Sequence, residues 1–235
     1  MATLHAGTSG FAYPAWKPDF YPADLPAARF LQHYAGRLNA VEVNYTFRRA
    51  PSASTLEGWI RETPDGFTFA AKAHQRITHF ARLNDAAEPT AFFFSSVEPL
   101  RAAGRLGPVL FQLPPNLKAD VDRLASYLPL LPTGVRATFE FRDPSWFSEE
   151  TYEVLRRHNA ALCLAESEKL ETPEVFTADF VYIRLRKPDY SADDLASVER
   201  RVRAMLATGR DVFAFFKHEE TAAGALEAEQ LLRAA

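Results

Sequence analysis

One cysteine stands in 235 residues, so no internal disulfide can form. Its apolar setting, ALCLA around Cys163, marks a core thiol rather than a nucleophile. No apolar run approaches the roughly 20 residues that cross a bilayer. The start, MATLHAGTSGF, shows no basic stretch followed by an apolar one, so neither a membrane span nor a signal peptide is expected. An excess of positive charge is missing too. The net charge is −3, which gives no reason to expect nucleic acid or an anionic membrane as partner. A cytoplasmic protein acting on a small molecule fits these absences.

Three motif absences narrow the chemistry. The first turn, GTSGFAYPAW, does not match GxGxxG, which argues against an open doubly wound sheet with a dinucleotide, and no cofactor is expected. The first strand carries no HxH pair, a frequent start of barrel metal sites. Ser9 has no histidine at a recognisable spacing, so a Ser-His-Asp triad is unsupported.

What is present is alternation. With 47% hydrophobic residues the chain can bury a sizeable core as a single domain over residues 1–235. Short runs rich in Val, Phe and Tyr predict strands at His5–Gly10, Ala40–Asn44, Phe67–Lys72, Val109–Leu113, Val135–Arg142, Ala161–Ala165, Phe180–Arg184 and Val212–Lys217. Between them, Val121, Leu124, Leu128 and Leu131 recur at helical spacing, as do Leu195, Val198, Val202 and Met205. Ser148 is placed to open a helix that ends in Arg156, Arg157 and His158, and Ser191 with Asp194 resembles a capping box. About eight β/α alternations, in a length near the usual barrel size of about 250 residues, predict a TIM-type (β/α)8 barrel with some irregular or missing helices.

In such a barrel chemistry gathers at the C-terminal strand ends. Those ends carry Ser9; Glu42 and Asn44; Lys72 and His74; Gln112; Glu140 and Arg142; Glu166; Arg184 and Arg186; and Lys217 with His218. Four of the pairs are two residues apart and so share one face of their strand. In FEFRDPSW, Glu140 and Arg142 alternate with Phe139 and Phe141 before Asp143-Pro144 ends the strand.

These stretches also carry a resemblance. GTSGFAYPAWKPDFYP, VEVNYTFRRAPSASTLEGWIRETPDGFTFAAKAHQRITH, VLFQLPP, FEFRDPSW and VYIRL, in that order, resemble the YecE-like proteins, the domain of unknown function numbered 72. Membership implies a TIM barrel and supplies no activity. Two positions depart from the family pattern. Arg48 stands where tyrosine usually follows phenylalanine, and Lys217-His218 stand where an Asn-Asn pair is usual, which implies altered ligand contacts.

Each conspicuous group has a sharp and a bland reading. Glu140 and Glu42 are the candidates for catalysis, as an acid and base pair with split pKa values. Alternatively they are counter-ions, Glu140 to Arg142 or Lys72 and Glu42 to Arg184. Lys72 is either a Schiff-base amine or, among glutamates, an ammonium that stays protonated. Lys72, Arg142 and Arg184 together suit a carboxylate or phosphate ligand. Asn44, His74, Gln112, Ser9, Tyr13, Trp16 and His218 complete the expected ligand-binding set. Tyr13 and Trp16 either stack on the ligand or pack the loop that carries them. His74, His218, Glu42 and Glu140 could converge on a metal, but Lys72 and Arg142 beside them oppose it, and no metal is assigned. The expected function is binding of a small polar anion, with metal-independent hydrolase or lyase chemistry. A non-catalytic binding or regulatory barrel is the first alternative and a metal-dependent hydrolase the second.

Overall fold

In the computed structural model, which describes residues 1–166, 170–217 and 220–234, the predicted runs form eight parallel strands. They are β1 (Leu4–Thr8), β2 (Ala40–Val43), β3 (Thr68–Lys72), β4 (Leu106–Gln112), β5 (Ala137–Glu140), β6 (Ala161–Ala165), β7 (Phe180–Leu185) and β8 (Asp211–Phe216). The hydrogen-bonded order is β1-β8-β7-β6-β5-β4-β3-β2, and one bridge between Ser9 and Glu42 brings the two ends together. The fold is a TIM-type (β/α)8 barrel.

Strand ends differ from expectation where local chemistry intervenes. β1 stops at Thr8 because Gly10 takes a left-handed φ of 99°. β5 is shorter than the predicted 135–142. Its start waits for a turn through Gly134 at φ 80°, and beyond Glu140 the chain leaves the ladder so that Phe141 stacks on Trp146 at 4.6 Å. β4 begins at Leu106, earlier than predicted, because Gly107 and Pro108 read as breakers. A register shift against β3 at this point lets proline, which has no N–H to give, sit inside the strand.

The helices are α1 (Phe30–Ala35), α2 (Ala53–Glu62), α3 (Ala87–Ser96), α4 (Glu98–Ala102), α5 (Val121–Tyr127), α6 (Glu149–Arg157), α7 (Ala192–Ala207) and α8 (Ala223–Ala234). None lies among the described residues between β6 and β7. The predicted periodicity from Val121 to Leu131 is only half helical: after Tyr127 a single 3-10 turn, Leu128–Leu130, takes over around Pro129. Ser148 caps α6, accepting from the Thr151 N–H at 3.3 Å. Both halves of the Ser191–Asp194 capping box are made at the start of α7. Among the described residues no helix is long and apolar enough to cross a membrane.

Two apolar clusters divide inside from outside. The smaller fills the barrel lumen with Ala40, Ala70, Leu110, Cys163, Phe180, Tyr182, Phe213 and Phe215. The larger lies between strands and helices and extends under the loop after β1. In that loop Trp16, 0% exposed, packs against Tyr13, Phe20 and Tyr21. Trp16 therefore presents no face to a ligand, which corrects its expected role; the long loop needed its ring as a core.

Below the Ser9–Glu42 bridge the β1/β2 seam is closed by side chains. Alternate amides of a parallel strand face opposite neighbours. On β1 the Ala6 amide donates to Asn39 Oδ1 at 2.9 Å, and the Thr8 amide donates to the Tyr34 hydroxyl at 2.8 Å. Asn39 donates in turn to the Leu4 carbonyl at 2.8 Å, and Tyr34 to the Ala40 carbonyl at 2.9 Å. Gly7 permits this close approach, since a Cβ there would lie 1.8 Å from the Ala40 carbonyl oxygen.

Candidate functional site

The two-residue spacing on β7 sends Tyr182 and Arg184 into the lumen, and Arg184 reaches both conspicuous carboxylates. Its Nη1 donates to Glu140 at 2.5 Å and its Nη2 to Glu42 at 2.6 Å. All three are buried, with exposures of 2% for Arg184, 3% for Glu140 and 0% for Glu42. One guanidinium fork thus joins β2, β5 and β7 at the C-terminal end of the barrel, the end where this architecture places its chemistry.

Each carboxylate is then saturated. Glu42 accepts from Ser9 Oγ at 2.7 Å, Tyr182 Oη at 2.8 Å and Asn44 Nδ2 at 3.3 Å. Glu140 accepts from Gln112 Nε2, 2.9 Å from both of its oxygens, and from Arg142 Nε at 3.1 Å. Arg186 Nη2 stands 3.9 Å from Glu140. Gln112 uses its other end to accept from Lys72 Nζ at 2.7 Å. The Lys72 ammonium also lies 4.3 Å from the centre of the Phe47 ring. Among the described residues, four cations, Lys72, Arg142, Arg184 and Arg186, surround the two carboxylates of this hydrogen-bonded cluster, an excess of two positive charges within it. Beside it, Glu166 accepts from the Arg186 amide at 2.8 Å.

The electrostatics follow from that imbalance. Burial alone would raise Glu140, but Arg184, Arg186 and Arg142 hold it well below the ordinary carboxylate range. Glu42 is likewise opposed by burial and pulled down by Arg184 and the Ser9 hydrogen bond. Both are therefore ionised at neutral pH, so the expected split between an acid and a base is absent. Lys72 is lowered to about 8, first by desolvation and then by Arg184. Glu42 and Glu140 raise it only in part, because Arg184 takes both carboxylates; the amine remains mostly protonated at neutral pH, as expected, but close to its titration range. Burial pushes the Cys163 thiol well up, in keeping with a core residue.

Of the predicted set, Ser9, Glu42, Asn44, Lys72, Gln112, Glu140, Arg142 and Arg184 are brought together. Tyr13 is half-buried and its hydroxyl donates to the Ser9 carbonyl at 2.9 Å, so it braces the first strand end. His74 is engaged locally, its Nδ1 accepting from the Arg76 amide at 3.2 Å. His218 lies outside the described residues. Tyr182 was not anticipated, because a tyrosine in VYIRL reads as core; its place two residues before Arg184 was the available signal. His79, past the end of β3, has its Nδ1 2.9 Å from Thr78 Oγ1 and its ring edge-on to Phe47 at 5.0 Å, and burial and Lys72 lower its pKa. Among the described residues no three His, Cys, Asp or Glu side chains converge as metal ligands.

A barrel with this polar lumen mouth can now be placed among known proteins. The family model described as a protein of unknown function, DUF72, matches residues 5–235. The chain belongs to this family. The UPF0759 protein YunF of Bacillus subtilis (strain 168) is 31% identical over 140 residues, 57% of this chain and 49% of that protein, so the match spans about half the relative's length. A solved DUF72 family protein from Thermotoga maritima MSB8 is 27% identical, with a TM-score of 0.88 and 98% of each chain covered. Another, from Enterococcus faecalis V583, is 17% identical with a TM-score of 0.79, covering 99% of this chain and 98% of that one. It shares the fold, as does a GH18 chitinase from Pseudoalteromonas aurantia at 8% identity and a TM-score of 0.55, with both chains fully covered. DUF72 membership thus agrees with the YecE-like resemblance and assigns no activity.

Proposed function

We propose that the barrel mouth binds a small polar anion, a carboxylate or phosphate, and acts on it by metal-independent acid/base chemistry. The observation that carries this reading is the charge imbalance among the described residues: four cations around two carboxylates that are already saturated. Burying unmatched positive charge is costly, and an anionic ligand relieves that cost. Arg142 and Arg186, the more exposed guanidinium groups, are the anion-facing pair in this reading. Glu42 and Glu140 are reassigned from proton carriers to anchors that orient Arg184, since carboxylates held ionised have no proton to give, and their lowered pKa values and occupied oxygens make them weak bases. Lys72 is the group whose proton can move near neutral pH.

The non-catalytic alternative draws on the same saturation of Glu42 and Glu140, because a purely binding pocket needs nothing more. Both readings require the anion. Thermal melting in phosphate, and separately in small carboxylates, tests it. A ligand present at 100 times its Kd adds about 2.7 kcal/mol, or roughly 5–10 °C at this chain length. Arg142→Ala should reduce that shift; melting that no anion moves would reject the pocket. Turnover of a stabilising anion separates enzyme from binder.

A further inference from the structure

Lys72 differs from the other cations of the cluster. Among the described residues it has no carboxylate within ion-pairing distance, whereas Arg142, Arg184 and Arg186 all reach Glu140. Its hydrogen-bond partner, Gln112 Oε1, is neutral, and the same glutamine's amide is committed to Glu140. A neutral side chain therefore stands between the amine and Glu140. Lys72 is the last residue of β3, at the barrel mouth, and is only partly buried. The Phe47 ring favours the ammonium, while desolvation and Arg184 oppose it more strongly and leave the amine titrating at about 8.

We propose that Lys72 captures the carbonyl group of a small anionic aldehyde, ketone or keto acid as a Schiff base, with the ligand's anionic group held by the guanidinium groups around Glu140. This rests on the anion-binding reading above and adds the class of substrate. The amine lone pair forms the C–N bond as the carbonyl π pair moves to oxygen. Both amine hydrogens then leave with that oxygen as water, so C=O is exchanged for C=N with no change of oxidation state. A free-amine fraction far above that of an ordinary lysine is what the step requires.

The test uses the full chain with pyruvate as the probe and cyanoborohydride to reduce any imine to a stable secondary amine. Peptide mass spectrometry then ranks the chain's six lysines. Labelling of Lys72 should exceed that of the other five by about tenfold or more near neutral pH. It should slow in excess phosphate and disappear in Lys72→Arg, a variant that keeps the cation but not the primary amine. Uniform surface labelling that spares Lys72, while phosphate still raises the melting temperature, would overturn the Schiff base and leave the anion pocket standing. If phosphate gives no stabilisation and Lys72 no label, the pocket fails and this proposal with it.

Discussion

Arg184 is the residue on which the mouth depends. Removing one of its partners leaves a buried charge poorly matched, so Glu140→Gln should cost about 3–5 kcal/mol, read as a fall of roughly 6–20 °C in melting temperature. Both Glu42 and Glu140 are held below the ordinary glutamate value of 4.5. As pH falls through that value the unfolded chain takes up protons that the folded one refuses. The cluster's contribution is therefore complete above about pH 4.5 and lost progressively below it, and Glu140→Gln should flatten this acid limb in melts taken from about pH 6 to pH 3. Lys72 gives a slope of the same sign in an alkaline window. With a folded value of about 8 against 10.5, the unfolded chain binds more protons between the two, so stability rises with pH across that window. Denaturant titrations of Lys72→Met should lack the rise. The carboxylates and Arg184 were legible from two-residue spacing at strand ends. The Glu42–Arg184 and Glu140–Arg142 pairs were legible as well; that Arg184 also takes Glu140 was not, because one guanidinium serving two strands is a property of the closed barrel.

At the level of elements, the eight strands were legible because β-branched and aromatic runs between turn residues are a local signal. What escaped were places where tertiary context overrules a breaker or a period. Gly107-Pro108 joins β4 through a register shift, and the apolar spacing beyond Tyr127 gives way at Pro129. Trp16 was ambiguous for a related reason: a ring in a mouth-side loop serves ligand or loop, and only the packing of Phe20 and Tyr21 decides. Helix caps were readable because they are purely local. The β1/β2 seam was invisible to strand patterns, since its connections are an asparagine and a tyrosine outside both strands. Asn39→Ala would orphan the Ala6 amide and the Leu4 carbonyl, costing about 1–3 kcal/mol. Gly7→Ala would force β1 from β2, costing about 1–3 kcal/mol or more by chemical denaturation.

For the whole molecule, the net charge of −3 and the cationic mouth are compatible because the positive charge is concentrated where strands converge. Long-range attraction of an anion is then weak, and recognition depends on the last few ångströms, so added salt should reduce the phosphate-induced melting shift only modestly. The seam adds a consequence. Where backbone meets backbone, a barrel wall unzips only with the whole fold; here Ala6 and Thr8 are tethered by side-chain rotamers that can let go singly. In deuterium exchange their amides should lose protection before those of β7, which is paired along both edges. The last tether across the gap is Ser9 to Glu42, a member of the charged cluster itself. An occupant of the mouth that steadies Glu42 therefore also latches the wall, and protection at Ala6 and Thr8 becomes a gauge of occupancy.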